Sequence, residues 1–260
     1  MTSAAGAVDR HPMTDPMTDP ETGAARDAGA APAAPAAVQR ASIDTADAQT
    51  AADWLGAVFP DTHLRPRDRS QGSLLAADVA TSGGTTTGRF RMGTDMSGHT
   101  PPLPAFATGV VLAGVVHTAL EGWDGEVRAV GAGSSWAWVD GADLDARWGA
   151  GSQTSVVQVP WHLLGEAAEA ATGLPGGELR ILGTAPVDEA AGRYWAQLVA
   201  FTYRGMRSDD PSAAAPLSAP LAARHWQQTL ASAALRTFPN TTLTAGADHL
   251  RGPGAVGPAT

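Results

Sequence analysis

The chain contains no cysteine and no lysine. Without cysteine there can be no disulfide, no thiolate nucleophile and no cysteine-ligated zinc, and the redox compartment stays open. No stretch approaches the roughly 18 uninterrupted apolar residues of a membrane span, and the N-terminal region lacks a basic segment followed by an apolar one. We therefore expect a cytoplasmic protein that neither spans a membrane nor is exported.

Positive charge is also scarce. The sequence holds 17 basic residues against 26 acidic ones, a net charge of −9. An acidic body repels nucleic-acid phosphates, and no stretch has the basic face of a recognition helix. The one basic cluster, Arg65, Arg67 and Arg69, is interrupted by Asp68, so we expect a solvated loop there rather than a phosphate contact. The sequence does not predict DNA binding by this part of the chain.

The chain divides by composition and periodicity. Residues 1–41 are rich in alanine, proline and acidic residues, which predicts a disordered tail. Order is expected near Ser42, with a leading helix capped by Thr45. Residues 73–160 then follow a period of two with glycine-rich turns, which is typical of an antiparallel β domain. Residues 42–160 are therefore expected to form a β domain with a leading helix, and residues 161–242 follow a helical period. Because strands and helices are segregated, the fold class is α+β.

Three strand patterns bear on the shape of this β domain. The segment GVVLAGVVHTAL, residues 109–120, is apolar on both faces, and Gly114 within it suits a bulge or a barrel corner. In TTTGRFRM, residues 85–92, the face that holds Arg89 and Arg91 is expected to be wet. In DLDARW, residues 143–148, alternation places Leu144, Ala146 and Trp148 inside.

Helices are predicted after the last strand. One begins at Pro160 and ends at a Gly173 cap. A second begins near Pro186, and a third spans about 220–238. The buried face of the second helix is expected to consist of Val187, Ala191, Trp195, Leu198 and Phe201.

Catalytic motifs are missing. GAGSSW, residues 131–136, lacks both a dinucleotide fingerprint and a nucleophile elbow, which favours a plain turn. The histidines are scattered, so no metal site is expected; they are residues 11, 63, 99, 117, 162, 225 and 249. His117 either points into a barrel lumen or is a satisfied core histidine. Trp136, Trp138 and Trp148 either form an aromatic wall for a small apolar or sugar-like ligand or simply fill the core.

Several segments together resemble a known family. They are GSLLAADVA, DGEVRAVGAGSSWAWVDG, VVQVPWHLL and PLAARHWQQTLASAALRTFPNTT, within residues 42–245. Their order is similar to the N-terminal ligand-binding region of AraC/XylS-type transcription regulators. The most specific piece is the closing helix with TFPNTT, which resembles the helix and turn placed before the DNA-binding domain in that family.

The resemblance implies a cupin-like β-barrel that senses a small-molecule effector, followed by a helical segment that mediates homodimerisation. Within that barrel we expect the ligand pocket at His117, Trp136, Trp138 and Trp148, and the resemblance supplies no catalytic residue, metal or cofactor. Residues 243–260 are expected to be a linker toward a DNA-binding domain that this chain lacks, so DNA is a partner only of the full-length bacterial regulator. The expected dimer surface consists of Trp195, Leu198, Trp226 and Leu230.

Two alternatives remain open at this point. The chain could be a free-standing cupin-like enzyme whose metal is held by scattered histidines and carboxylates. It could also be a domain that has lost ligand binding and serves only to dimerise.

Overall fold

Two antiparallel β-sheets and four α-helices make up the described part of the chain. The computed structural model describes residues 38–67, 72–120, 127–173, 175–207 and 219–243. Residues 1–37 of the expected tail and residues 244–260 of the expected linker lie outside the described residues. The strands, in chain order, are β1 (Gln39–Thr45), β2 (His63–Pro66), β3 (Leu75–Ser82), β4 (Thr85–Met92), β5 (Met96–Thr100), β6 (Ala105–Ala113), β7 (Val115–Leu120), β8 (Arg128–Gly131), β9 (Ser135–Ala137), β10 (Leu144–Trp148) and β11 (Gln153–Pro160).

One helix lies between β1 and β2, and the other three follow β11. They are α1 (Ala48–Val58), α2 (Trp161–Thr172), α3 (Glu189–Arg207) and α4 (Pro220–Thr237), with a short 3₁₀ turn at Gly176–Glu178. The predicted α+β arrangement, an antiparallel β body followed by helices, is therefore confirmed.

The two sheets pack face to face. Six strands form the covered sheet, in the order β1-β3-β4-β11-β6-β9, and α2, α3 and α4 pack on its outer face. Five strands form the open sheet, in the order β2-β5-β10-β7-β8. The space between the two sheets is the lumen. Leu144, Ala146 and Trp148 of β10 are buried toward it, as the alternation predicts.

The chain passes from one sheet to the other at Gly114. This residue has φ +76°, a left-handed conformation that side-chain-bearing residues adopt only with strain. Strand β6 before it belongs to the covered sheet and β7 after it to the open sheet. The predicted corner is therefore confirmed.

The leading helix, α1, is preceded by a strand that the sequence did not predict. Residues Gln39–Thr45 pair with β3, so order starts before Ser42, and Thr45 ends a strand instead of capping α1. The N-cap is Asp47, whose carboxylate accepts a hydrogen bond from the backbone N–H of Thr50 at 2.7 Å. Backbone and side-chain hydrogen bonds from Thr50 lower the pKa of Asp47.

The outer face of β4 is more buried than the alternation of its sequence predicts. Arg91 is exposed as expected, but Thr85 and Thr87 are buried because α3 packs across β3, β4 and β11. A polar cluster helps to hold that helix. Tyr203 donates a hydrogen bond to Asp78 at 2.5 Å, and Arg207 lies 3.3 Å from the same carboxylate. Burial, followed by the hydrogen bond to Asp78, raises the pKa of Tyr203 to about 12.

The buried face of α3 differs from the predicted one. Val187 precedes the helix and Phe201 lies within it, yet both side chains are largely exposed. Trp195 is shared by the predicted and observed faces, but the buried stripe consists of Gly192, Trp195, Val199, Thr202, Gly205 and Met206. The prediction followed large apolar residues. The buried stripe instead combines glycines and a threonine with Trp195, Val199 and Met206, and Trp195 Nε1 donates to Thr108 Oγ1 of the covered sheet at 2.9 Å.

The TFPNTT segment closes α4. Asn240 is buried and donates from its amide nitrogen to the carbonyl oxygens of Leu235 and Phe238, at 2.6 and 2.7 Å. Its carbonyl oxygen accepts from the backbone N–H of Thr242 at 2.9 Å. Asn240 also bridges to Ile181 in the segment before α3. The asparagine therefore ends the helix and ties it to the chain that leads into α3.

Candidate functional site

The lumen between the two sheets contains a small cavity of about 40 Å³. Five aromatic rings line it, together with aliphatic residues and three threonines; the rings are Phe59, Phe90, Trp136, Trp138 and Trp148. No lining residue carries a charge. A cavity of this size holds two or three water molecules, or a few non-hydrogen atoms of a ligand.

The aromatic residues reach the lumen from four elements, which are α1, β4, β9 and β10, and four of the five rings contact one another. Trp136 and Trp138, on and just after β9, have ring centroids 5.6 Å apart. Phe59, at the end of α1, stacks on Trp138 at 6.5 Å and lies 5.6 Å from Phe90 of β4. Trp136, Trp138 and Trp148 are all buried and line the same cavity, and their role as a wall for a ligand stays a prediction. Sequence reasoning missed Phe59 and Phe90, because only the fold brings α1 and β4 to the same side of the lumen.

Trp136 fits over a glycine. Its register partner on β6 is Gly109, and a Cβ atom placed on Gly109 would lie only 2.1 Å from the six-membered ring of Trp136. Ordinary van der Waals contacts to a Cβ begin near 3.4 Å. The absence of a side chain at residue 109 is therefore what lets the indole lie flat against the inner face of the covered sheet.

Two buried donors stand out in this apolar setting. The indole N–H groups of Trp136 and Trp138 are buried and have no hydrogen-bond partner among the described residues. A buried donor without an acceptor costs about 1–3 kcal/mol, and most such groups in proteins are satisfied. Both side chains line the lumen cavity, and neither indole N–H has an acceptor within the described residues.

Strand β6 contacts both the lumen and the helical layer. Gly109 lies under the Trp136 ring on the inner face, while the preceding residue, Thr108, faces outward and accepts the hydrogen bond from Trp195 of α3. Trp195 also packs edge-on against Phe238 at the end of α4, with centroids 5.8 Å apart. Trp195 and Trp136 therefore contact consecutive residues of β6 from opposite faces of the covered sheet.

The predicted role of His117 in the pocket is wrong. His117 lies on β7 with its side chain exposed on the outer face of the open sheet, whereas its neighbours Val116 and Thr118 are buried. Alternation explains the error: the run of apolar residues around it suggested burial on both faces, but the described helices cover the other sheet and leave this face to solvent.

Two of the four residues predicted for the dimer surface do not lie on the surface of the described chain. Trp195 and Leu230 are fully buried within the described chain, while Leu198 and Trp226 are partly buried. The exposed apolar side chains of this layer are different ones. Tyr194 and Phe201, seven residues apart on α3, and Leu221 at the start of α4 present large apolar area to solvent.

No three histidine, aspartate or glutamate side chains of the described ranges lie close enough to hold a metal ion. None of the described helices is both long and apolar enough to cross a bilayer.

Solved structures with similar folds include an AraC-like transcriptional activator, CuxR. It matches with a TM-score of 0.53 at 13% sequence identity, over 84% of this chain and 81% of that one. Two cupin-like structures match with lower scores. A protein of unknown function from Rhizobium leguminosarum is 22% identical over 35% of this chain and 85% of its own, with a TM-score of 0.30. A variant of oxalate decarboxylase from Bacillus subtilis is 15% identical over 46% of this chain and 37% of its own, with a TM-score of 0.29.

Sequence comparison gives a family assignment. No curated protein matches the chain. The model of the AraC-binding-like domain, in contrast, matches residues 51–236, which run from α1 to the last turn of α4 and include every strand of the two sheets except β1. The match thus spans well over half of the 260 residues. This protein, a cupin-like β-sandwich with helices packed on one sheet, belongs to the AraC-binding-like domain family.

Proposed function

We propose that this chain is the effector-sensing and dimerisation part of a transcription regulator and has no catalytic activity of its own. The observation that carries the proposal is the pair of unpartnered indole N–H groups at the lumen cavity. The effector is a small uncharged molecule with an acceptor atom, because the lining supplies donors and apolar area but no charge.

The cavity is smaller than most effectors, so binding and ring movement are coupled. A ligand of more than a few atoms displaces Trp136 or Trp138 from the positions described above. Because Trp136 lies on Gly109 and Thr108 bonds α3, displacement changes the relative stability of two arrangements of the helical layer. A ligand shifts such an equilibrium only through its different affinity for the two arrangements.

The output in this proposal is a homodimer whose geometry depends on the helical layer. The exposed side chains of Tyr194 and Phe201 on α3 supply the apolar area for a self-complementary contact, with Leu198 and Trp226 partly buried beside them. DNA is contacted by a helix-turn-helix domain of the same regulator, as the AraC-type assignment suggests, and the described acidic body has no part in it.

The sensing proposal is tested with matched neutral and charged probes. Acetone and acetate have nearly the same size and shape, and cyclopentanone is a larger neutral acceptor. We expect acetone and cyclopentanone to raise the melting temperature and acetate to have no effect. A ligand at 100 times its Kd adds about 2.7 kcal/mol, which corresponds to a rise of roughly 5–10 °C for a domain of this size.

Trp136→Phe is the informative variant, since it keeps an aromatic ring and removes the indole donor. It should lose most of the rise with cyclopentanone. Trp161→Phe is the control, because that indole donates to Leu103 on the far side of the covered sheet. If neither neutral probe shifts the wild-type melting temperature, or if Trp136→Phe responds like wild type, the lumen assignment is wrong.

Dimerisation is tested separately by analytical ultracentrifugation. Wild type should sediment as a dimer at micromolar concentration, and Phe201→Asp should be monomeric with an unchanged circular-dichroism spectrum. Gln197→Asp adds the same charge at an exposed polar position of α3 and should remain dimeric. A monomeric wild type would refute this half of the proposal and leave the sensing half intact.

A further inference from the structure

The outer face of the open sheet forms a concavity of about 450 Å³ that is separate from the lumen. Its lining combines two arginines and three histidines with a single acidic residue, Asp145, on a chain whose net charge is −9. The basic side chains of this concavity therefore outnumber its acidic ones, which is the opposite of the balance over the whole sequence.

Strand register aligns the basic side chains. Ser97 of β5 pairs with Arg65 of β2 on one side and with Arg147 of β10 on the other, and Arg147 in turn pairs with His117 of β7. Neighbouring strands lie about 4.8 Å apart, so the two arginines flank Ser97 at a separation of roughly 10 Å between their backbones. Arg65, expected in a solvated loop, is in fact part of a strand.

A second row of polar residues lies beside the first. His63 pairs with His99, and His99 pairs with Asp145, with Nδ1 of His99 3.0 Å from a carboxylate oxygen of Asp145. The acid is thus already engaged by a histidine. Neither Arg65 nor Arg147 has a side-chain hydrogen bond or ion pair within the described chain, so both guanidinium groups are available to an anion.

The donor groups of Arg65, Ser97 and Arg147 indicate which kind of anion this row would bind. A guanidinium group presents a planar fork of N–H donors that matches the oxygens of a phosphate, and two such groups on either side of a serine hydroxyl can share one phosphate. Val127 adds an exposed apolar side chain to the same concavity. Val127 lies just before β8, three strands from Ser97 in the order β5-β10-β7-β8 and therefore about 15 Å away, so only an organic group that crosses β10 and β7 can pack on it.

We propose that the concavity on the outer face of the open sheet binds a phosphorylated small molecule, with its phosphate between Arg65 and Arg147 and an organic group that extends across β10 and β7 toward Val127. The site is independent of the lumen and of the effector-sensing function proposed above. It gives the protein a second ligand on the opposite side of the open sheet from the aromatic residues.

Phenyl phosphate is the probe, because it carries both a phosphate and an apolar group, and inorganic phosphate is its truncated counterpart. Binding is measured by isothermal titration calorimetry at low salt, where screening of exposed charges is weakest. We expect saturable 1:1 binding of phenyl phosphate and of inorganic phosphate, with phenol not bound at this site.

Four variants locate the site. Arg65→Ala and Arg147→Ala should each weaken phenyl phosphate at least tenfold. Val127→Ser should leave both phenyl phosphate and inorganic phosphate unchanged, because a single phenyl ring is too short to reach residue 127 from the two arginines. Arg91→Ala is the matched control: it removes one exposed arginine from a strand of the covered sheet and lowers the net charge equally, so its effect should stay within twofold.

The result that overturns the proposal is equally specific. It is wrong if wild type shows no saturable binding up to 10 mM phenyl phosphate, or if Arg91→Ala weakens binding as much as Arg147→Ala, which would indicate only a general charge effect. Trp136→Phe should bind phenyl phosphate like wild type, so failure of the lumen proposal and failure of this one are distinguishable.

Discussion

Replacing Gly109 by alanine would place a methyl group where the ring of Trp136 now lies. The added Cβ would be 2.1 to 2.5 Å from three ring carbons, far inside the contact distance near 3.4 Å. Neither partner can retreat easily. Gly109 is held on both sides, because β6 pairs with β11 and with β9, and Trp136 is only 2% exposed.

The expected loss follows from these contacts. Forcing an extra carbon into a packed interior costs about 1–3 kcal/mol, and the rigid surroundings place this case toward the upper end. Removing a glycine from a strand returns about 0.5–1 kcal/mol of backbone entropy. We therefore expect Gly109→Ala to lower the free energy of unfolding by about 2 kcal/mol, or the melting temperature by roughly 4–8 °C.

Urea denaturation followed by circular dichroism measures the change, and two further variants make it specific. Gly131→Ala is the control, because that strand glycine has open space around its Cβ position, and its stability should stay within about 0.5 kcal/mol of wild type. Trp136→Phe removes part of the obstructing ring. The double variant should be less destabilised than the sum of the single variants by at least about 1 kcal/mol. If Gly109→Ala is as stable as wild type, the close packing of the lumen is refuted.

Three other predictions concern single side chains. Asn240→Ala leaves two buried carbonyl oxygens at the end of α4 without their donor, so it should destabilise the protein by about 2–3 kcal/mol in urea denaturation, and a loss under 0.5 kcal/mol would contradict that role. Hydrogen bonds from Thr50 lower the pKa of Asp47, so its contribution to stability is present above its ordinary pKa of 3.8 and is lost as pH falls through the lowered value. Asp47→Asn keeps the capping acceptor and should remove this acid dependence, which thermal melts at pH 2 to 6 would detect. Burial and Asp78 raise the pKa of Tyr203 to about 12, so its stabilisation is complete below about pH 10 and lost above it; absorbance titration should show a tyrosine ionising near pH 12 that disappears in Tyr203→Phe.

Periodicity predicted the elements better than it predicted their faces. The alternation in β10 and the glycine corner at Gly114 needed only local information, because inward and outward positions follow from a period of two and a positive φ favours glycine. The stripe of α3 did not follow in the same way. Its buried face contains glycines and a threonine that contact the covered sheet, while Phe201 packs against Trp226 and stays partly exposed.

The candidate sites show the same division. The aromatic residues near β9 were found from sequence, because large apolar side chains two residues apart on a strand must share a face. Phe59 and Phe90 were not found, because α1 and β4 are distant from β9 in the sequence and only the folded sandwich brings their rings to the same lumen. The row of Arg65, Ser97 and Arg147 was hidden too, because the three residues are distant in the chain and only strand order makes them neighbours.

The sequence by itself determined the α+β class, the order of strands before helices, the acidic charge and the absence of cysteine chemistry, because these depend on composition and local period. Which sheet the helices cover was decided only by the tertiary structure. That choice buried Trp195 and Leu230 and left His117 in solvent. It placed two indole donors at an apolar lumen and collected the arginines of separate strands on the open face, since such contacts depend on strand pairing between residues far apart in the chain.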